Sequence, residues 1–123
     1  MEALIKRILI CDDVADDALL LQAILLADDC QIQIVSSGKE VLSFLKTNSN
    51  LPDLLILDVM MPVMDGFEVV QRIRESNKLK SLPVLLVTGM NIDDTNLDIK
   101  VDGFIQKPIN IDTVISQVRA ILD

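Results

Sequence analysis

Asp53-Leu-Leu-Ile-Leu-Asp-Val-Met-Met-Pro-Val-Met-Asp-Gly66 is the stretch that decides the fold. Leu54 to Leu57 run without a polar break and stop at a carboxylate, Asp58. A short apolar run bounded by turn signals reads as a strand buried on both faces, as in parallel sheets. Pro62 ends it, Asp65-Gly66 turns the chain, and a helical pattern starts at Phe67. Asp58 is therefore expected at the carboxyl end of a central strand, where open α/β sheets hold their ligand crevices. A second run, Ile8-Leu9-Ile10-Cys11, ends the same way, in Asp12-Asp13. Three carboxylates are expected to share one crevice.

Working outward, strands and helices alternate. A helix over about Ala15 to Ala27 follows the acidic pair, with Asp16 and Asp17 suited to its positive end. It carries Leu19, Leu20, Leu21, Ile24, Leu25 and Leu26, more than one buried stripe needs, so some apolar exposure is expected. Gln31 to Val35 alternates as a half-buried edge strand should, and Lys39 to Lys46 forms a second helix. A third helix runs from Phe67 to about Glu75, burying Phe67, Val70 and Ile73. Leu82-Pro83 introduces a strand from Val84 to Val87 that stops at Thr88-Gly89. A short, poorly apolar helix is read around Asp93 to Ile99, then a fifth strand over Gly103 to Ile105. The last helix, capped by Asn110, reaches about Leu122 and buries Ile111, Val114, Ile115, Val118 and Ile121. This pattern predicts an α/β domain over residues 1–123: a doubly wound, five-stranded parallel sheet with helices on both faces.

Composition narrows the function. Half of the 123 residues are apolar but only three are aromatic, all Phe, so aliphatic side chains must build the core. The net charge of −8 argues against direct nucleic-acid binding. No apolar run has the length of a membrane span and Met1 to Arg7 does not read as a signal peptide, so a cytoplasmic protein is expected. Cys11 and Cys30 read as reduced packing residues. The chain has no histidine, which excludes His-based catalysis and His-ligated metals.

Asp12 and Asp13, Asp58, Thr88 and Lys107 all fall at strand ends, and parallel strands bring them to one edge. Taken with Met61-Pro62, Asp65-Gly66, Thr88-Gly89 and Phe104-x-x-Lys107-Pro108, this order of residues resembles the receiver domain of two-component response regulators. The resemblance covers essentially the whole chain. It implies the flavodoxin-like strand order 2-1-3-4-5. Converging carboxylates repel unless a cation neutralises them, and oxygen ligands without His or Cys suit Mg²⁺. By resemblance, Asp13, Asp58 and the Met60 backbone carbonyl bind Mg²⁺, and Asp12 holds a metal-bound water. Asp58 is then the phosphoacceptor for a phosphoryl group carried by a histidine kinase or histidine phosphotransfer protein. Lys107, the Thr88 hydroxyl and the Met60 and Gly89 backbone N–H groups are implied phosphoryl contacts. Thr88 and Phe104 form the implied switch, and the Lys107-Pro108 peptide is expected to be cis. Partner contacts are implied around Val14, Ala15, Ala18 and Pro108.

The chain departs from the family pattern at Phe104, which lacks the hydroxyl of the commoner Tyr, and between Thr88 and Lys107. Only 18 residues, positions 89 to 106, separate Thr88 from Lys107, and Asp98-Ile-Lys-Val-Asp-Gly103 replaces the family's Ala-rich helix and Gly-Ala step. By resemblance, the side chains two beyond Asp58 and two beyond Thr88 help set the hydrolysis rate. Here they are Met60 and Met90, which offer no strong hydrogen bond to an attacking water, so a fairly long-lived phosphoryl group is expected. The expected role is a regulatory switch and not an enzyme beyond its own phosphorylation and dephosphorylation. Three other readings compete. An Asp-nucleophile phosphatase of the haloacid-dehalogenase type would need a second Asp where Met60 stands. An FMN carrier of the same fold would meet repulsion from Asp12-Asp13. A degenerate receiver that binds partners without phosphate leaves the complete acidic set unexplained. Both a stand-alone receiver and a segment of a longer regulator, with a downstream target or output domain of unknown kind, fit the sequence.

Overall fold

The computed structural model describes residues 5–90 and 100–123. The helix expected around Asp93 to Ile99 lies outside them. The described elements are β1 (Lys6–Cys11), α1 (Ala15–Leu26), β2 (Cys30–Val35), α2 (Gly38–Thr47), β3 (Leu54–Asp58), α3 (Gly66–Glu75), β4 (Val84–Thr88), β5 (Gly103–Gln106) and α4 (Ile111–Leu122). The strands form one parallel sheet in the order β2-β1-β3-β4-β5.

Strand alternation sorts the apolar residues into two cores. Leu9, Leu55, Leu57 and Leu86 face α2 and α3, meeting Val41, Leu45, Val69, Val70 and Ile73. Ile8, Ile10, Ile56, Leu85 and Val87 face α1 and α4, meeting Leu21, Leu25, Val114 and Val118. β3 and β4 are buried along their whole length because helices cover both faces. β2, paired only to β1, alternates between exposed Gln31 and Gln33 and the more buried residues between them.

Helix starts follow the local sequence. Ser37, Asp65 and Asn110 cap α2, α3 and α4 by accepting from the N–H groups of Glu40, Glu68 and Thr113. Gly66 is required by close approach: a Cβ there would lie 2.6 Å from the Asp58 carbonyl oxygen. Its N–H donates to the Val59 carbonyl at 2.8 Å, which fixes the loop after Asp58 against α3.

Some expected burial is corrected. Ile111 is 55% exposed, because it sits in the first turn of α4 while Val114 and Val118, one turn apart, define the inward stripe. Phe67 is only partly buried, and Val69 takes the buried place beside Val70 and Ile73. On α1, Ala18, Leu21, Ile24 and Leu25 face the core, whereas Leu19, Leu20 and Leu26 are exposed. No helix among the described residues is long and apolar enough to cross a membrane.

Candidate functional site

Strand register builds the site. Cys11 pairs with Leu57, so Asp12 lies level with Asp58 across β1 and β3. Thr88 pairs with Gln106, and the Lys107 N–H donates to the Thr88 carbonyl at 2.7 Å. Asp12, Asp58 and Thr88 are the buried polar residues of the described chain, and all three stand at this carboxyl edge. Asp13 is exposed beside them, and one oxygen from each of Asp12, Asp13 and Asp58 falls within 4.8 Å of the others.

The Lys107 ammonium reaches into this cluster. It donates a hydrogen bond to Asp17 at 2.8 Å, and stands 3.2 Å from Asp12 Oδ2 and 3.7 Å from Asp58 Oδ1. The approach to Asp12 has the distance of an ion pair without hydrogen-bond alignment, so buried Asp12 Oδ2 has no hydrogen-bond partner. The other Asp12 oxygen accepts from the Val14 N–H at 2.9 Å and holds the entry to α1. Asp12 thus serves both as a helix-entry group and as a member of the cluster.

The charges do not balance. Burial first, then the Asp12 charge, push the Asp58 carboxyl up to about 7, against the opposing pull of Lys107 and with a further push from Asp13. Burial depresses Lys107, yet its hydrogen bond to Asp17 and the negative charge of Asp12 beside it outweigh burial and leave its pKa raised. Burial and the neighbouring Asp12 charge push the Cys11 thiol up to about 12. Cys11 therefore stays protonated and packs with its sulfur 3.5 Å from that of Met61. Cys11 and Cys30 are both free thiols.

The donor set fits a hard cation. It is all oxygen, two of its three carboxylates are buried, and Asp12 Oδ2 lacks a hydrogen-bond donor.

Among the remaining expected residues, Thr88 Oγ1 accepts from the Met90 N–H at 3.0 Å. Phe104 pairs with Leu86 two residues before Thr88, so alternation puts Thr88 and Phe104 on one face of the sheet. Phe104 packs there against the α2–α3 core together with Met90. Gly89 is exposed, and so is Met60, at 60%. The Lys107–Pro108 peptide is cis. Val14, Ala15 and Pro108 are exposed, but Ala18 is buried in the α1–α4 core and offers no partner surface. Sequence reasoning missed Asp17, which it assigned to the helix end. The signal was its place in the first turn of the helix that directly follows the acidic pair.

The model of the response regulator receiver domain matches residues 8–119. The chain belongs to this family. A receiver is a regulatory domain, and this one is a receiver of two-component signalling. The response regulator PleD of Caulobacter vibrioides is 32% identical over 118 residues, 94% of this chain and 26% of PleD. The DNA-binding dual master transcriptional regulator RpaA of Synechocystis is 38% identical over 74 residues, 58% of this chain and 31% of RpaA. This chain thus spans about a quarter to a third of these curated relatives. Among solved structures, response regulator TrrA of Thermotoga maritima, in complex with Mg²⁺ and beryllofluoride, is similar at a TM-score of 0.84. It is 32% identical, and the match covers 96% of this chain and all of that one.

Proposed function

We propose that Asp58 is the phosphoacceptor of a receiver unit spanning residues 1–123, in which Mg²⁺ is held by Asp12, Asp13, Asp58 and the Met60 carbonyl. The observation that carries this reading is the buried, level pair Asp12 and Asp58, short of positive charge, with Lys107 between them. Family membership supports it, as does a similar receiver in complex with Mg²⁺ and beryllofluoride. Bound Mg²⁺ supplies charge neutralisation for the carboxylates and the phosphoryl oxygens.

An Asp58 oxygen attacks phosphorus on a partner's phosphohistidine. The new O–P bond forms as the P–N bond breaks, and the imidazole leaves. Lys107, the Thr88 hydroxyl and the Met60 and Gly89 N–H groups receive the phosphoryl oxygens. Thr88 gives up its bond from Met90 when it turns to the phosphoryl group, and Phe104, on the same face, repacks into the space it leaves. The partners are a histidine kinase or histidine phosphotransfer protein in the cytoplasm. The acidic receiver surface selects protein over nucleic acid, so any DNA contact belongs to a fused segment. The domain catalyses only its own phosphorylation and dephosphorylation.

Intact mass after incubation with acetyl phosphate and Mg²⁺ tests this. A single labile phosphoryl adduct is expected, absent from Asp58→Ala and lost with EDTA. An adduct that survives in Asp58→Ala overturns the assignment, as does failure to accept either acetyl phosphate or beryllofluoride.

A further inference from the structure

Lys107 is held by a residue outside the proposed phosphoacceptor and cation ligands, Asp17. An ammonium has three donors and no acceptor. Here it faces three carboxylates, at 2.8 Å from Asp17, 3.2 Å from Asp12 and 3.7 Å from Asp58. The Asp17 contact is the nearest, and its geometry is that of a hydrogen bond. Asp58, the group that the ammonium would serve, is the farthest of the three.

We infer that Asp17 is a positioning residue that parks the Lys107 ammonium in the resting state and gives it up when a phosphoryl group arrives. The inference rests on the phosphoacceptor reading of Asp58. Burial decides which partner yields. The Asp12 and Asp58 side chains are 1% and 4% exposed, so neither can exchange a lost cation for water. The Asp17 side chain is 31% exposed, in the first turn of α1, and water can replace its hydrogen bond. A phosphoryl group brings close to two negative charges and three strong acceptors, more than a single carboxylate offers. The exchange breaks no covalent bond: Lys107 leaves an Asp17 oxygen for a phosphoryl oxygen, and Asp17 turns to solvent. Asp17 therefore competes with the phosphoryl group, stabilising the resting receiver and weakening the phosphorylated one.

Titration with beryllofluoride and Mg²⁺, read by calorimetry or backbone amide NMR, tests the exchange. Asp17→Asn is expected to bind the analogue about fivefold more tightly than the wild type, the scale of one partly exposed charge pair. Asp16→Asn, which removes the same charge from the adjacent position, is expected to stay within about twofold of the wild type. In a Lys107→Met background the Asp17→Asn gain disappears, because no ammonium is left to contest. Unchanged or weaker binding by Asp17→Asn overturns the inference. So does an equal gain in the Lys107→Met background, which would assign the effect to long-range charge alone. Asp17→Ser gives the same reading if Asp17→Asn does not fold. Wild-type binding with no gain in Asp17→Asn fails this inference alone, whereas no wild-type binding fails the phosphoacceptor reading as well.

Discussion

The two edges of the sheet use the same residue in opposite ways. At the amino edge Asp53 and Asp102 each exchange two hydrogen bonds with a neighbouring strand start. Asp53 accepts from the Arg7 N–H at 2.8 Å through its side chain and donates its own N–H to the Arg7 carbonyl at 2.7 Å. Asp102 does the same with Val84, at 2.8 Å in both directions. Arg74 reinforces this edge, donating to the Lys100, Lys80 and Leu82 carbonyls and standing 3.5 Å from Asp102. At the carboxyl edge, Asp12 and Asp58 are buried side by side, with one ammonium shared among them and Asp17. An Asp at a strand end is thus no sign of chemistry by itself. What separates the edges is whether backbone donors satisfy the carboxylate or leave its charge to a cation.

The largest expected effect breaks the satisfied edge. Arg74→Ala removes a partly buried cation that ties the end of α3 to the segments entering β4 and β5. We expect a loss of about 3 kcal/mol, or roughly 10 °C in thermal midpoint, measurable by calorimetry. Phosphoryl acceptance by the folded fraction is expected to persist, because nothing at the carboxyl edge has changed. A midpoint shift under about 2 °C would remove Arg74 from this account.

A smaller effect, opposite in sign, sharpens the other edge. The folded-state pKa of Asp58 lies above its ordinary value of 3.8, near 7. The metal-free folded state therefore holds a proton that the unfolded chain has released, and stability falls as pH rises from about 4 to about 7. Asp58→Asn lacks this loss. It is expected to be more stable than metal-free wild type by about 2 kcal/mol above pH 7, with the difference shrinking as pH falls toward 4. Denaturant melts at several pH values in EDTA would show it. A difference that grows on acidification would contradict the sign.

Much of this was legible in the sequence. Uninterrupted apolar runs ending in Asp12-Asp13, Asp58 and Thr88 announced buried parallel strands and the polar edge, because strand period and strand ends are local properties. Asp65 and Asn110 announced their helices in the same way. What escaped depends on distances across the chain. The Lys107–Asp17 bond joins residues 90 apart, and Arg74 reaches Lys100 across 26 positions, so neither leaves a local pattern. Ile111 satisfies the apolar helical spacing, yet lies in the first turn of α4, off the inward stripe that Val114 and Val118 define. Asp53 and Asp12 are the same residue type beside the same kind of strand. The sequence shows that one precedes its strand and the other follows, but only the fold shows which carboxylate is satisfied by hydrogen bonds.

The central claim is that the carboxyl edge alone demands a cation. The direct measurement is the thermal midpoint at about pH 8 with millimolar Mg²⁺ or with EDTA, for wild type, Asp58→Asn, Asp12→Asn and Asp53→Asn. The account predicts a rise of several degrees with Mg²⁺ for wild type and Asp53→Asn, and a rise largely abolished in Asp12→Asn and Asp58→Asn. An equal rise in all four proteins, or none in wild type, would contradict it.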